Sequence, residues 1–240
     1  MFERKRMYMS VLRLASSLLL GSLAAVLYAA PSQAASLPPP YQDLVQVRSR
    51  QLDAVYLLPG ADFRPYTKVM IDPVQVSFRK GWLKDVNSQR GIADQVSQND
   101  AEQIAQAART GFEKIFADAF TQKGYEVVTS AAPDVLRLSP GVVNLYLNAP
   151  DPMGAPGVRS YTVNAGEATF ALEARDSTTG AVLGLAVDRR STQDFGGMAT
   201  SVSNRFDFGN LFRHWASISV KGLDTLKTTP PVPARSAKKG

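Results

Sequence analysis

The 240 residues contain no cysteine and a single histidine, His214. The first absence excludes disulfides, thiolate metal sites and cysteine nucleophiles. It also excludes the lipid-bearing cysteine that would follow a lipoprotein signal. With one histidine, no multi-histidine metal cluster can form, and any Ser–His–acid triad would have to use His214. That residue stands beside Trp215 in a stretch of helical periodicity, and no Gly-x-Ser-x-Gly turn presents a nucleophile. A glycine-rich phosphate loop is also missing, so nucleotide chemistry has no support. The longest apolar run, residues 14–28, is roughly 15 residues, short of the roughly 20 that span a bilayer as a helix.

Excess positive charge is lacking where a nucleic-acid binder would need it. The chain has 27 basic and 21 acidic residues, a formal +6. Setting aside Arg4, Lys5, Arg6 and Arg13 with Glu3 leaves 23 against 20. Setting aside Lys227, Arg235, Lys238 and Lys239 as well leaves 19 against 20, so the folded part is near −1. No nucleic acid is expected as a partner.

What is present begins with an address. Basic residues at 4–6 and 13, the apolar run, then small residues including Ser32 and Ala34 follow the order of a secretory signal peptide. We expect residues 1–34 to be such a signal, cut after Ala34. Residues 35–226 should form one domain, and residues 227–240 a disordered, proline-rich basic tail. The mature protein is expected in the periplasm, or secreted and peripherally attached to the envelope, without a lipid anchor. Lys238 and Lys239 would give the tail a weak, salt-sensitive hold on anionic surfaces.

Within the domain, Val69, Ile71, Val74, Val76 and Phe78 predict a strand over residues 66–78, with Pro73 marking a bulge or an edge. Residues 79–97 read as loop. Ile104, Ala108, Phe112, Ile115, Phe116, Ala119 and Phe120 recur at helical steps and predict a helix over about 100–123. Asn99 is its expected cap, Glu102 the capping-box partner and Gly124 its stop. The phenylalanine stripe should pack on a sheet. A short strand is expected at 125–128. Residues 135–138 and 142–147 flank Ser139-Pro140-Gly141, as a hairpin or as one bent strand. Alternation from Glu167 to Arg175, a turn at 176–180 and a return over 181–187 predict a hairpin wet on one face. Residues 196–204 read as loop. Phe208, Leu211, Phe212, Trp215, Ile218, Leu223 and Leu226 predict a closing helix of about 18 residues. The expected fold is an α+β two-layer sandwich, a mainly antiparallel sheet with two helices packed on one face.

Six residues are candidate contacts for a ligand or partner. Asp72 precedes a proline, where a carboxylate usually fixes a turn and occasionally serves as an acid or base. Arg79, Trp82 and Lys84 interleave cations with an aromatic ring, a pattern suited to stacking on a sugar or meeting an anionic polymer. The same tryptophan would also suit a loop tucked over the core. Arg189 and Arg190 form a cationic pair at a strand end. Glu167 and Glu173 share a strand face, but six residues at ~3.3 Å each put them about 20 Å apart. A glycosidase pair needs roughly 5–9.5 Å, so these two should form a solvated face.

The strand Lys68-Val69-Met70-Ile71-Asp72-Pro73-Val74-Gln75-Val76, following Leu57-Leu58-Pro59-Gly60, resembles the bacterial family known as domain of unknown function 3313. Phe120-Thr121-Gln122-Lys123-Gly124-Tyr125-Glu126-Val127-Val128 and Gly166-Glu167-Ala168 are similar too. So are Asp176-Ser177-Thr178-Thr179-Gly180 and Phe212-Arg213-His214-Trp215-Ala216. The resemblance covers residues 52–226. It implies an exported envelope protein, in a family with many lipoproteins and no established activity; the missing cysteine departs from the lipoprotein pattern. We therefore expect a non-enzymatic binding or assembly module that contacts another envelope protein or an anionic envelope polymer. It should have no cofactor, no metal and no transmembrane segment after signal cleavage. The alternative is a carboxylate-dependent hydrolase of cell-wall or lipid material, with Asp72 as its acid.

Overall fold

In chain order the elements are β1 (Val45–Val47), β2 (Ala54–Leu57), β3 (Lys68–Ile71), β4 (Gln75–Phe78) and α1 (Trp82–Asn87). A 3-10 turn (Ile92–Asp94) and α2 (Gln98–Gln122) lead to β5 (Glu126–Val127), β6 (Val135–Leu147), β7 (Gly166–Asp176), β8 (Val182–Ser191) and α3 (Ser201–Thr228). The computed structural model describes residues 37–88, 90–147, 166–191 and 201–233. The expected signal, residues 1–34, and the tail residues 234–240 lie outside the described residues, as does 196–200 of the expected loop. Residues 201–204 of that loop are instead the first turn of α3.

The strands form one sheet in the order β1-β2-β8-β7-β6-β3-β5, with β4 also beside β6. The fold is α+β and the sheet is mixed. β6–β7–β8–β2–β1 run antiparallel, whereas β3 and β4 both pair parallel with β6, and β3 pairs parallel with β5. The cause is the connection. Between β4 and β6 the chain runs through α1 and α2, and a helical crossover returns a strand in parallel, as no tight turn can.

The strand expected over 66–78 is two strands separated at Asp72-Pro73-Val74. β3 pairs with β6 up to Leu138 and β4 resumes at Gly141, so Ser139 and Pro140 face the gap. Neither Pro73 nor Pro140 has an N–H to give a ladder. Val74 is satisfied from α2 instead: its N–H donates to Glu113 Oε1 (3.0 Å), and its carbonyl accepts from Arg109 Nε (3.1 Å). The break thereby ties helix to sheet. Of the two readings of residues 135–147, the single strand is correct. Its irregularity falls later, at Asn144 (φ 53°), where the register with β7 shifts between Val143 and Tyr146. Asn is among the few residues that tolerate this left-handed geometry.

Residues 79–97 are not all loop, since α1 buries Trp82 and Val86. Two apolar residues over six positions leave too weak a period to read. The α2 cap is Ser97 rather than Asn99, and its reciprocal partner is Asp100 rather than Glu102. Ser97 Oγ accepts from Asp100 N–H (3.1 Å), and the Asp100 carboxylate accepts from Ser97 N–H (2.9 Å). Gly124, at φ +88°, ends the helix as expected.

Phe170 on β7 is the hub of the core. Phe112 (5.8 Å, edge-on) and Phe116 (6.4 Å) reach it from α2, and Trp215 stacks on it from α3 at 5.3 Å. Phe112 also meets Phe212 at 4.8 Å. Deep in the same region Asp188 is fully buried. Its carboxylate accepts from Trp215 Nε1 (2.9 Å), Arg190 Nε (2.9 Å) and the Asp53 N–H (3.3 Å), joining β8 to α3 and to the start of β2.

The ordered chain passes the expected boundary at 226. Lys227 is helical and donates to the Tyr66 carbonyl (2.9 Å), and the Val232 carbonyl accepts from Gly60 N–H (2.8 Å). No helix among the described residues is long and apolar enough to cross a membrane.

Candidate functional site

Because side chains alternate along a strand, Glu167, Thr169, Ala171, Glu173 and Arg175 lie on the face of β7 opposite Phe170. Their neighbours in register on β6 and β8 share that face, and two of the six sequence candidates meet there. Arg79 donates to Glu167 Oε1 (2.9 Å) and Arg189 to Glu167 Oε2 (2.7 Å), while the Arg79 guanidinium lies 3.7 Å from the centre of the Tyr146 ring. The hydrogen bond from Arg189, reinforced by the charges of Arg189 and Arg79, holds the Glu167 carboxyl below its ordinary pKa.

Asp72 lies on the same face with different partners. Arg137 Nε approaches both of its oxygens at 2.9 Å, and Ser139 Oγ donates to it. Further along, Glu173 is paired with Arg175 and accepts from Tyr41, which raises the tyrosine pKa. Glu167 and Glu173 are thus half-buried and arginine-paired rather than freely solvated. Each carboxylate of this face carries its own cation.

The other candidates lie elsewhere. Trp82 is 2% exposed, stacked on Phe78 at 4.0 Å, with its Nε1 donating to the Leu147 carbonyl (2.9 Å). Its ring faces are covered by protein, as the tucked-over reading has it. Lys84 is exposed on α1. Arg190 points to the helix side, against Asp188. His214 is half-buried on α3, and burial, followed by the charge of Arg190, lowers its pKa. Among the described residues no group of three acids or histidines could hold a metal ion.

One concavity among the described residues is one that the sequence did not announce. On the helix side of β7, Ala168 and Phe170 are 1% and 0% exposed, yet Leu172 and Ala174 on the same face are only partly buried. The covering layer changes there. Along α3 the cleft is lined by Ile218, Gly222, Leu223 and Leu226, and Gly222 has no side chain. A Cβ built on Gly222 would meet nothing within 4 Å. The result is a cleft of about 760 Å³, within the ~300–1,000 Å³ usual for small-molecule sites. Its lining includes Leu136, Leu138 and Phe120, all nearly inaccessible, together with Leu57 and Phe63.

The polar groups of the cleft are at its rim or already engaged. Ser219 Oγ donates to the Trp215 carbonyl (2.8 Å), and Thr225 Oγ1 donates to that of Lys221 (2.8 Å). Ser49 Oγ accepts from Leu52 N–H (3.0 Å). The lining carboxylate, Asp224, accepts from Tyr125 OH (2.7 Å). Arg48, Arg50 and Lys221 are exposed at the edge. Residues 48–50 drew no attention in sequence because β1 and β2, which bracket them, are three and four residues long. A glycine within the apolar stripe of α3 was the legible clue.

Fold and site together define an α+β domain with an apolar, cation-rimmed cleft between its last helix and its sheet. The chain belongs to the family described as protein of unknown function (DUF3313), whose model matches residues 32–218, in agreement with the resemblance read from its motifs. Solved structures to which it is similar include the PelC dodecamer from Paraburkholderia phytofirmans. That match has 13% identity and a TM-score of 0.37, covering 70% of this chain and 95% of that one. Another is the putative neuraminyllactose-binding hemagglutinin homolog from Helicobacter pylori. Here the identity is 9% and the TM-score 0.30, covering 76% of this chain and 96% of that one. No curated protein sequence matches the chain.

Proposed function

We propose that this protein is an exported, periplasmic envelope module that binds rather than catalyses, and that the cleft under α3 is its binding site. The observation that carries this reading is the lining itself. It is a preformed apolar cavity whose hydroxyls and carboxylate are spent on internal hydrogen bonds, so it offers area for contact and no nucleophile set beside a base. Each methylene transferred from water into such a site contributes about 0.8 kcal/mol. The signal-like residues 1–34 and the family resemblance support the envelope location. Phe170 touches both α2 and α3, which supports reading the two helices as one layer on one face of the sheet. Asp72, the acid of the hydrolase alternative, is engaged by Arg137 and Ser139.

The test uses Gly222, where a side chain would enter the cleft. The purified protein should bind the neutral fluorescent probe N-phenyl-1-naphthylamine saturably. Gly222→Phe should weaken that binding at least tenfold with its circular dichroism unchanged. Gly222→Ala should retain binding and unfold at higher urea, because removing a mid-helix glycine stabilises by roughly 0.5–1 kcal/mol. Probe binding that is absent, or indifferent to Gly222→Phe, would remove the cleft as the site.

A further inference from the structure

The geometry points to a specific occupant for the cleft: a single-chain lipid ending in a phosphate, with its aliphatic chain along the apolar lining and its phosphate at Arg48, Arg50 and Lys221. The inference rests on the proposed binding role of the cleft and adds the chemistry of its ligand. Elsewhere on this fold most arginines have a fixed acceptor: Arg64 pairs with Asp62, Arg79 and Arg189 with Glu167, Arg137 with Asp72, Arg175 with Glu173 and Arg190 with Asp188, while Arg109 donates to the Val74 carbonyl and Arg213 to Asn210. Arg48, Arg50 and Lys221 make no ion pair among the described residues, and all three edge the same apolar cavity. The lining carboxylate, Asp224, already accepts from Tyr125. Three cations against one carboxylate leave the rim at +2.

An unmatched cationic rim on an apolar cleft is complementary to an amphiphile with an anionic end. A guanidinium presents a fork of N–H donors that fits phosphate oxygens two at a time. A phosphate monoester carries about −1.5 to −2 charges at neutral pH, which balances a +2 rim where a single carboxylate would not. The apolar lining takes the chain, and Gly222 leaves the room for it.

Competition against bound N-phenyl-1-naphthylamine compares two lipids of identical chain, a monoacylglycerol phosphate and the corresponding monoacylglycerol, below their critical micelle concentrations. The phosphate form is expected to displace the probe at least tenfold more potently, and inorganic phosphate alone should not displace it. The double variant Arg48→Ser, Arg50→Ser should bind the neutral probe as before and lose the preference. Equal potency of the two lipids, or a preference that survives the double substitution, would overturn the assignment of the headgroup while leaving the cleft as an apolar site. Probe binding that fades as protein concentration rises would place a second copy in the cleft and overturn the lipid. Absence of probe binding to the parent protein would remove the underlying reading and this one with it.

Discussion

Asp188→Ala is expected to lower stability by about 3 kcal/mol, the lower end of what breaking a buried ion pair costs. The carboxylate is wholly inaccessible and serves Trp215 Nε1, Arg190 Nε and the Asp53 N–H together. Alanine leaves an indole N–H without an acceptor inside the core and a guanidinium without its counter-charge. Arg190, whose side chain is 32% exposed, recovers some hydration, which is why the upper end of the range does not apply. For a domain of this size the melting temperature should fall by roughly 6–12 °C. Asp188→Asn keeps an acceptor for Trp215 and loses only the charge, so its loss should be smaller. Urea unfolding followed by tryptophan fluorescence reads both. A change below about 1 kcal/mol for Asp188→Ala would show that the three donors find other acceptors and that the carboxylate does not hold β8 to α3.

Phe112→Ala should cost about 3–5 kcal/mol, the range for removing a buried phenylalanine ring. Phe112 is fully buried and meets rings on three elements: Phe116 beside it on α2, Phe170 on β7, and Phe212 and Trp215 on α3. A rigid aromatic cluster cannot collapse into the void, because each remaining ring is held by others. The urea midpoint should drop with little change in slope. A double-mutant cycle with Phe212→Ala, whose ring lies 4.8 Å away, should return a coupling of about 0.5–1.5 kcal/mol. Additive losses would mean that the two helices settle on the sheet independently.

These two sites differ in how visible they were beforehand. The Phe112–Phe116–Phe120 stripe and the alternation around Phe170 are local periods, so the helix, the hairpin strand and the side of each that faces inward could be read directly. Asp188 lay one residue beyond the expected return strand, with nothing to mark it. Its role depends on Trp215, 27 positions away, and on Asp53, 135 positions away. Among the candidate contacts, Arg79 was chosen for its place beside an aromatic ring and Arg189 for its place in a cationic pair, and their convergence on Glu167 required β4, beyond β6, and β8 to lie on opposite sides of β7. Trp82 shows the reverse. An aromatic between two cations has the composition of a contact loop, but a single turn of helix after Phe78 is enough to turn the ring into the core.

The sequence by itself determined which chemistries are excluded, which segments are helix or strand over long stretches, and which family the motifs belong to. Those properties reside in single residues and short periods. Tertiary structure alone decided the pairing direction of β3 and β4, the burial of Asp188 and the existence of the cleft. Parallel pairing follows from where a crossover deposits the chain. The cleft follows from Gly222 passing over Leu172 and Ala174, a coincidence of two elements about fifty residues apart that no local pattern encodes.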